Sequence, residues 1–386
     1  MKKVINTITI LFYSGLYLIG CHPGKDEKEH RKVVFESHKE RTRYAARFDI
    51  VDSGKYKILS IIKPKGKQKG VDYQYVLFER GQDLPDQFPE AHPLAVPLQR
   101  FTLRSPVEAA MVTLLGNLED VVAIADPKWI ANPYLLEKAA SGEISVIGRG
   151  NTINTELVLK LQPEAIFENA SGNKYDITRQ LIELGLTPMM NCVHLEDHPL
   201  GVAEWIKYFG VLLNKEKQAK ALFDTIASRY DSLALLVKDV EDRPAVIVGH
   251  SSRGMWSTHG SSNFFIQLIH DAGGRYILED STQYEENRIS FEHAFIKGQQ
   301  ADFWLGPGHL VEKLETLIAE DERYLDFKSV KQSGVYNNNR WLSEEGHNHY
   351  WEEGMVEPHI LLADLVRIFH PDVLRDHQLK YFQPIQ

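Results

Sequence analysis

The residues most able to do chemistry fall in two short runs and at one isolated thiol. Gly249-His250-Ser251-Ser252-Arg253 follows a buried apolar run, Pro244 to Val248, as the nucleophile elbow of a hydrolase would. That elbow needs the pattern G-x-S-x-G, and Arg253 stands where the last glycine is required. His347-Asn348-His349, taken with His250, invites a metal reading, because imidazole ligates iron, cobalt or zinc. His347 and His349 share a face only on an extended segment, and Gly346 before them predicts a loop. A solvated or cleft-lining loop is therefore expected, and no residue is assigned as a metal ligand. Cys192, beside Met189, Met190 and Val193, reads as a buried inert thiol. No P-loop, H-E-x-x-H or G-x-G-x-x-G pattern is present. Catalysis is not expected, and a hydrolase is the weakest of the readings considered.

With 386 residues the chain is long enough for more than one domain. Its hydrophobic content of 43% supports a packed core and argues against disorder. A formal charge of −9, with no long basic stripe, disfavours nucleic acid and leaves a small molecule or a protein as partner.

Residues 1–20 read as a signal peptide. Lys2 and Lys3 precede a mostly apolar stretch, Ile8 to Ile19, that is too short and interrupted for a comfortable membrane span. Leu18-Ile19-Gly20-Cys21 resembles a bacterial lipobox, in which the Cys21 thiol would be lipidated. Lipid chains would hold the protein at a membrane, facing the periplasm or the cell surface, at ~0.8 kcal/mol per buried CH₂. Residues 21–45, dense in Lys, Glu, Asp and His, read as a solvated tether. With Cys21 lipidated, Cys192 has no disulfide partner in the chain.

The elements that must position any site begin with a β-rich extension, residues 46–95. Two strand-like runs, Tyr56 to Ile62 and Tyr73 to Phe78, flank the turn-rich Pro64 to Gly70. From residue 96 to 197 short apolar runs alternate with helical periodicity. Strands are expected at 99–103, 121–125, 145–147 and 165–167, and helices at 106–115 and 155–161. Val202, Trp205, Ile206, Phe209, Leu212 and Leu213, then Leu222, Ile226, Tyr230, Leu233 and Val237, keep helical spacing across 198–239. One long connecting helix is expected there, with a bend at 214–218. Residues 240–386 repeat the alternation, with strands at 244–249, 302–305 and 335–337 and helices at 263–272, 291–295 and 357–369. The fold class is α/β: two lobes with mostly parallel sheets, joined by one long helix, with a ligand cleft between them.

Three motifs carry a resemblance to a known family. They are Asn154 to Ile166 (N-x-E, apolar residues, then Leu161-Gln162-Pro163-Glu164), Trp256 to Gly274 ending in Ala-Gly-Gly, and Ile289-Ser290-Phe291-Glu292. Their order around the connecting helix resembles the iron-siderophore and vitamin B12 class of periplasmic binding proteins of ABC importers, over roughly residues 96–374. The resemblance implies capture of a ferric siderophore, haem or cobalamin-type ligand, with no intrinsic cofactor. It implies delivery to a permease dimer with its ATPase subunits. Glu156 and Glu292, one per lobe, would dock on permease arginines.

The ligand is then expected at the C-terminal ends of the strands. Candidates from the first lobe are Arg104, Ser105, Trp129, Arg149, Asn169 and Ser171. Those from the second are His250, Ser251, Met255, Trp256, Trp304 and Trp341. Tryptophans would supply a broad aromatic rim, and Arg104 and Arg149 would pair with anionic groups of the ligand. A free-metal (zinc or manganese) binding protein of the same architecture is the main alternative. A surface lipoprotein handing ligand to an outer-membrane channel is a further one.

Overall fold

The computed structural model describes residues 38–40, 42–62, 71–82, 91–149, 152–169, 177–279, 287–309 and 311–386. The signal-peptide reading, Cys21 and Ser171 lie outside them. The N-terminal extension is a five-stranded sheet, β1 (His38–Glu40), β2 (Phe48–Asp52), β3 (Tyr56–Ile62), β4 (Val71–Glu79) and β5 (His92–Val96) in sequential order. The first four strands are antiparallel, and β5 joins β4 in parallel. Alternation places Ile50, Leu59 and Tyr75 in one buried cross-strand row. That face packs against the connector and the first lobe. The Phe48 ring lies 4.8 Å from that of Trp205, and the Tyr75 hydroxyl donates to the Pro188 carbonyl at 2.8 Å.

Residues 38–40 and 42–45, expected as the end of a tether, are held instead: 38–40 form β1 and 42–45 lie against the connector. Buried Glu204 accepts the backbone N–H groups of Arg43, Tyr44 and Ala45 at 2.7–2.9 Å. Glu196 accepts those of Ala46 and Arg47 and the Trp205 indole N–H. Two buried carboxylates thus take up backbone donors that otherwise lack partners.

The first lobe follows as β6 (Phe101–Leu103), α1 (Pro106–Leu115), β7 (Val121–Ile124), α2 (Pro133–Ser141), β8 (Ser145–Val146), the small hairpin β9 (Gly148–Arg149) and β10 (Thr152–Ile153), α3 (Thr155–Leu161), β11 (Ala165–Asn169), α4 (Thr178–Glu183) and β12 (Pro188–Asn191). Its parallel sheet has the order β12-β11-β6-β7-β8, so the strand order reverses beside β6.

The connector is the long helix α7 (Glu216–Leu236), preceded across the expected bend by two shorter helices, α5 (Pro199–Glu204) and α6 (Ile206–Leu212). Asn214, at φ 56°, turns the chain between α6 and α7. The physical difference is visible in the faces. α5 and α6 are apolar nearly all round and buried, whereas α7 buries one stripe, Ala219, Phe223, Ile226, Ala227 and Tyr230.

The second lobe runs β13 (Ala245–Val248), β14 (His250–Ser252), β15 (Met255–Thr258), α8 (Phe264–Asp271), β16 (Arg275–Tyr276), β17 (Asn287–Ser290), α9 (Phe291–Gly298), β18 (Phe303–Leu305), α10 (Leu314–Glu320), α11 (Lys328–Lys331), β19 (Val335–Asn337), α12 (Glu353–Val356), α13 (Pro358–Phe369) and β20 (Gln383–Pro384). Its main sheet is ordered β16-β13-β18-β19-β20, parallel except for β20, and reverses between β13 and β18. A separate antiparallel sheet, β14-β15-β17, stands beside it. The lobes meet where α12 packs on α1 and α5, while α13 lies along α7. Among the described residues no helix is long and apolar enough to cross a membrane.

Candidate functional site

A cavity of about 410 Å³ opens at the carboxyl ends of β13, β18 and β19. Open α/β sheets bind ligands where the strand order reverses, because loops diverge there and leave a crevice. Gly249 forms its floor at φ 104°, and a Cβ there would meet the Ser257 carbonyl oxygen at 1.9 Å. The Trp304 indole N–H donates to the Gly249 carbonyl at 2.7 Å, and that of Trp256 to the Val248 carbonyl at 2.8 Å. Both rings are fully buried. They were expected on the rim; instead they hold the floor from behind, because each N–H has a backbone partner only in the interior.

The walls are aromatic and imidazole. Phe264 and Phe265 come from the start of α8, whose N-cap is Asn263. Tyr350, Trp351 and Phe382 close one side. Four histidines line the cavity: His194 from the first lobe, just after β12, and His250, His259 and His309 from strand ends of the second. The described lining contains no Asp, Glu, Lys or Arg. His194 faces the open cavity yet is enclosed by protein on most sides, and that enclosure lowers its pKa. Its imidazole is therefore neutral near pH 7, with a lone pair available to a hydrogen-bond donor or a metal.

The other expected ligand residues have different surroundings. The Arg104 guanidinium is paired with Glu168 at 2.5 Å, and both side chains are nearly buried. Ser105 caps α1, its hydroxyl accepting the Glu108 N–H, while the Glu108 carboxylate accepts the N–H groups of Arg104 and Ser105. Arg104 thus balances a buried carboxylate instead of facing a ligand anion, and Ser105 serves the helix. Ser251 lies in β14 and bonds the Tyr324 hydroxyl. The chain after Gly249 enters a hairpin, not the strand-to-helix turn of a nucleophile elbow. Met255 is partly exposed in β15 opposite Ser290 and does not line the cavity. Trp341 is stacked on His349 at 4.1 Å with the Lys380 ammonium 4.7 Å from its ring, a support position.

Trp129 is half-exposed just after β7, and Asn169 is exposed at the end of β11. The backbone of Arg149 belongs to the β9–β10 hairpin. Glu156 and Glu292 are both exposed in the first turns of α3 and α9, which Asn154 and Ser290 cap.

His347 and His349 diverge. His347 lines a second groove of about 560 Å³ between the lobes, with Leu136 and Ala139 of α2. His349 is buried and bonds Glu353 at 2.9 Å. Among the described residues no three His, Cys, Asp or Glu side chains converge to hold a metal ion.

His194, His259, His309, Phe264, Phe265, Tyr350, Trp351 and Phe382 line the cavity without having stood out in the sequence. The Gly306-Pro307-Gly308-His309 turn after β18 was a usable signal. His194 carried none, since only the meeting of the lobes brings it to the other histidines.

Two α/β lobes, a helical connector and a lined cavity at the strand reversal define a solute-binding architecture. The chain belongs to the periplasmic binding protein family, whose pattern matches residues 107–341. As a member of that family it is a solute-binding protein, and binding rather than catalysis is its activity. An uncharacterized lipoprotein of Methanocaldococcus jannaschii is 24% identical over 297 residues, 74% of this chain and 69% of the relative. The periplasmic vitamin B12 binding protein of Vibrio cholerae shares the fold at a TM-score of 0.53 and 15% identity, covering 73% of this chain and 99% of that one. A periplasmic haem binding protein of Pseudomonas aeruginosa does so at 0.56 and 16%, covering 75% and 98%.

Proposed function

We propose that this protein is a receptor, lipid-anchored through Cys21, that captures a preformed metal chelate and delivers it to an ABC permease and its ATPase subunits. The chelate is a ferric siderophore, haem or a cobalamin-type compound. The observation that carries the reading is the cavity wall: four separate imidazoles among aromatic rings, with no set of three ligands converging among the described residues. Separate imidazoles suit hydrogen bonds to a chelate's edge, or one axial position on its metal, while the rings stack on a planar ligand. A bare zinc or manganese ion needs three or four ligands at once, so the wall favours the chelate over the free ion. The ligands named for the vitamin B12 and haem binding neighbours agree with that class. Exposed Glu156 and Glu292, one on each lobe, are the docking carboxylates of this reading.

The test is a titration of the mature protein with haemin, cyanocobalamin and a ferric hydroxamate, against Zn²⁺ and Mn²⁺, followed by tryptophan fluorescence. Trp351, half-exposed on the wall, is the expected reporter. Saturable quenching by one chelate at one-to-one stoichiometry supports the reading. Flat titrations with all chelates and tight binding of a bare ion overturn it.

A further inference from the structure

Glu352 crosses the boundary between the lobes. It precedes α12 in the second lobe and is only 1% exposed. Its Oε2 accepts the N–H of Ala131 in the first lobe at 2.6 Å, and the Asn132 N–H also bonds the carboxyl. These two residues open α2. Asn132 caps that helix by accepting the Leu135 N–H, and its amide donates to Thr113 of α1 at 3.1 Å. In the other direction, Glu352 directly follows Tyr350 and Trp351, which line the cavity. One buried carboxyl therefore joins the first lobe to the cavity wall of the second.

We propose that Glu352 is the positioning residue of the cleft: its bonds to Ala131 and Asn132 set the approach of the lobes, and with it the placement of Tyr350 and Trp351. The consequence for binding rests on reading the cavity as the ligand site, whereas the tie is a contact within the protein itself.

The surroundings give the tie a pH dependence. Burial raises the Glu352 pKa to about 8, the Ala131 and Asn132 N–H groups oppose that rise, and the charge of Glu353 adds to it. The ionisable groups of the packed elements are Glu353 with His349, Glu108 of α1 with Asn191, Glu204 of α5 with residues 43–45, Lys138 of α2 with Glu143, Glu137 at the surface, and on α13 Asp364 with His377, Arg367 with the Pro371 carbonyl, and buried His359, whose pKa burial lowers to about 4. A carboxyl exposed by opening returns to the ordinary value near 4.5. Protons therefore favour the tied arrangement, which weakens as pH rises from about 4.5 and levels off above about 8.

The experiment is amide hydrogen exchange on the full ligand-free chain, corrected for intrinsic rates, with β13 amides as the internal control. In the wild type, protection at residues 131 and 132 is expected to fall about tenfold or more from pH 5.5 to 7.5. Glu352→Gln, which keeps an acceptor but cannot ionise, should show no such slope. Glu352→Ala should lose the protection at both pH values while β13 stays protected. Wild-type protection independent of pH, or an unchanged slope in Glu352→Gln, overturns the proposal. If Glu352→Ala does not fold, those two measurements still decide it. Because no ligand is added, failure here is distinct from failure of the chelate titration.

Discussion

Gly249 is where the cavity floor, the β14–β15 hairpin and the Trp304 indole meet, and no side chain fits there. Its φ of 104° is open to glycine alone, and a Cβ would sit 1.9 Å from a backbone oxygen. Gly249→Ala is expected to lower the unfolding free energy by more than ~3 kcal/mol, read from the denaturant midpoint. The role of this glycine was not legible in the sequence, where Gly249 stood out only as part of a failed hydrolase motif. The same holds for Trp256 and Trp304. Their types were right for a rim, but their indole partners are carbonyls that only the folded sheet supplies. Glu196 gives a second test at this scale. Burial raises its pKa to about 7, against the N–H bonds from Ala46, Trp205 and Arg47. Its folded value lies above its unfolded one, so its contribution is full below pH ~4.5 and is lost as pH rises through about 7. Glu196→Gln should flatten the fall in melting temperature across that window.

At the scale of elements, most strands and helices of the two lobes were legible, because α1, α3, β13 and α13 carry their periods, caps and proline or glycine stops locally. The connector was legible in part: the bend at 214–218 and the long α7 after it were, the separate α5 and α6 before it were not. Continuous apolar spacing from Val202 to Val237 reads as one helix, yet α5 and α6 are buried all round and α7 on one side only. Asn214 makes the break. Asn214→Ala should destabilise by about 1 kcal/mol, since a Cβ without a polar partner disfavours the left-handed region, while Asn214→Gly should not. Equal losses in both variants, by thermal unfolding, would place the cause in the side chain rather than the backbone. The β14-β15-β17 sheet was also missed. Its strands are short, and β15 pairs with a strand about thirty positions away, Met255 with Ser290 and Thr258 with Asn287.

For the molecule as a whole, the family motifs made the two lobes legible, while the site between them was only partly so. The residues that line the cavity come from the ends of six or more elements, and each looks ordinary in its own stretch of sequence. Glu156 and Glu292 offer a prediction that separates capture from delivery. Charge reversal at both, Glu156→Lys with Glu292→Lys, should abolish import while leaving ligand affinity unchanged, because both carboxylates are exposed and neither lines the cavity. A loss of affinity measured by fluorescence would place them in the cleft instead. The chelate itself is tested most directly by the absorption spectrum, with metal analysis, of protein purified from its native host. A visible band from a bound chelate, with one iron or cobalt per chain, is the predicted result. A colourless protein carrying stoichiometric zinc or manganese would contradict it.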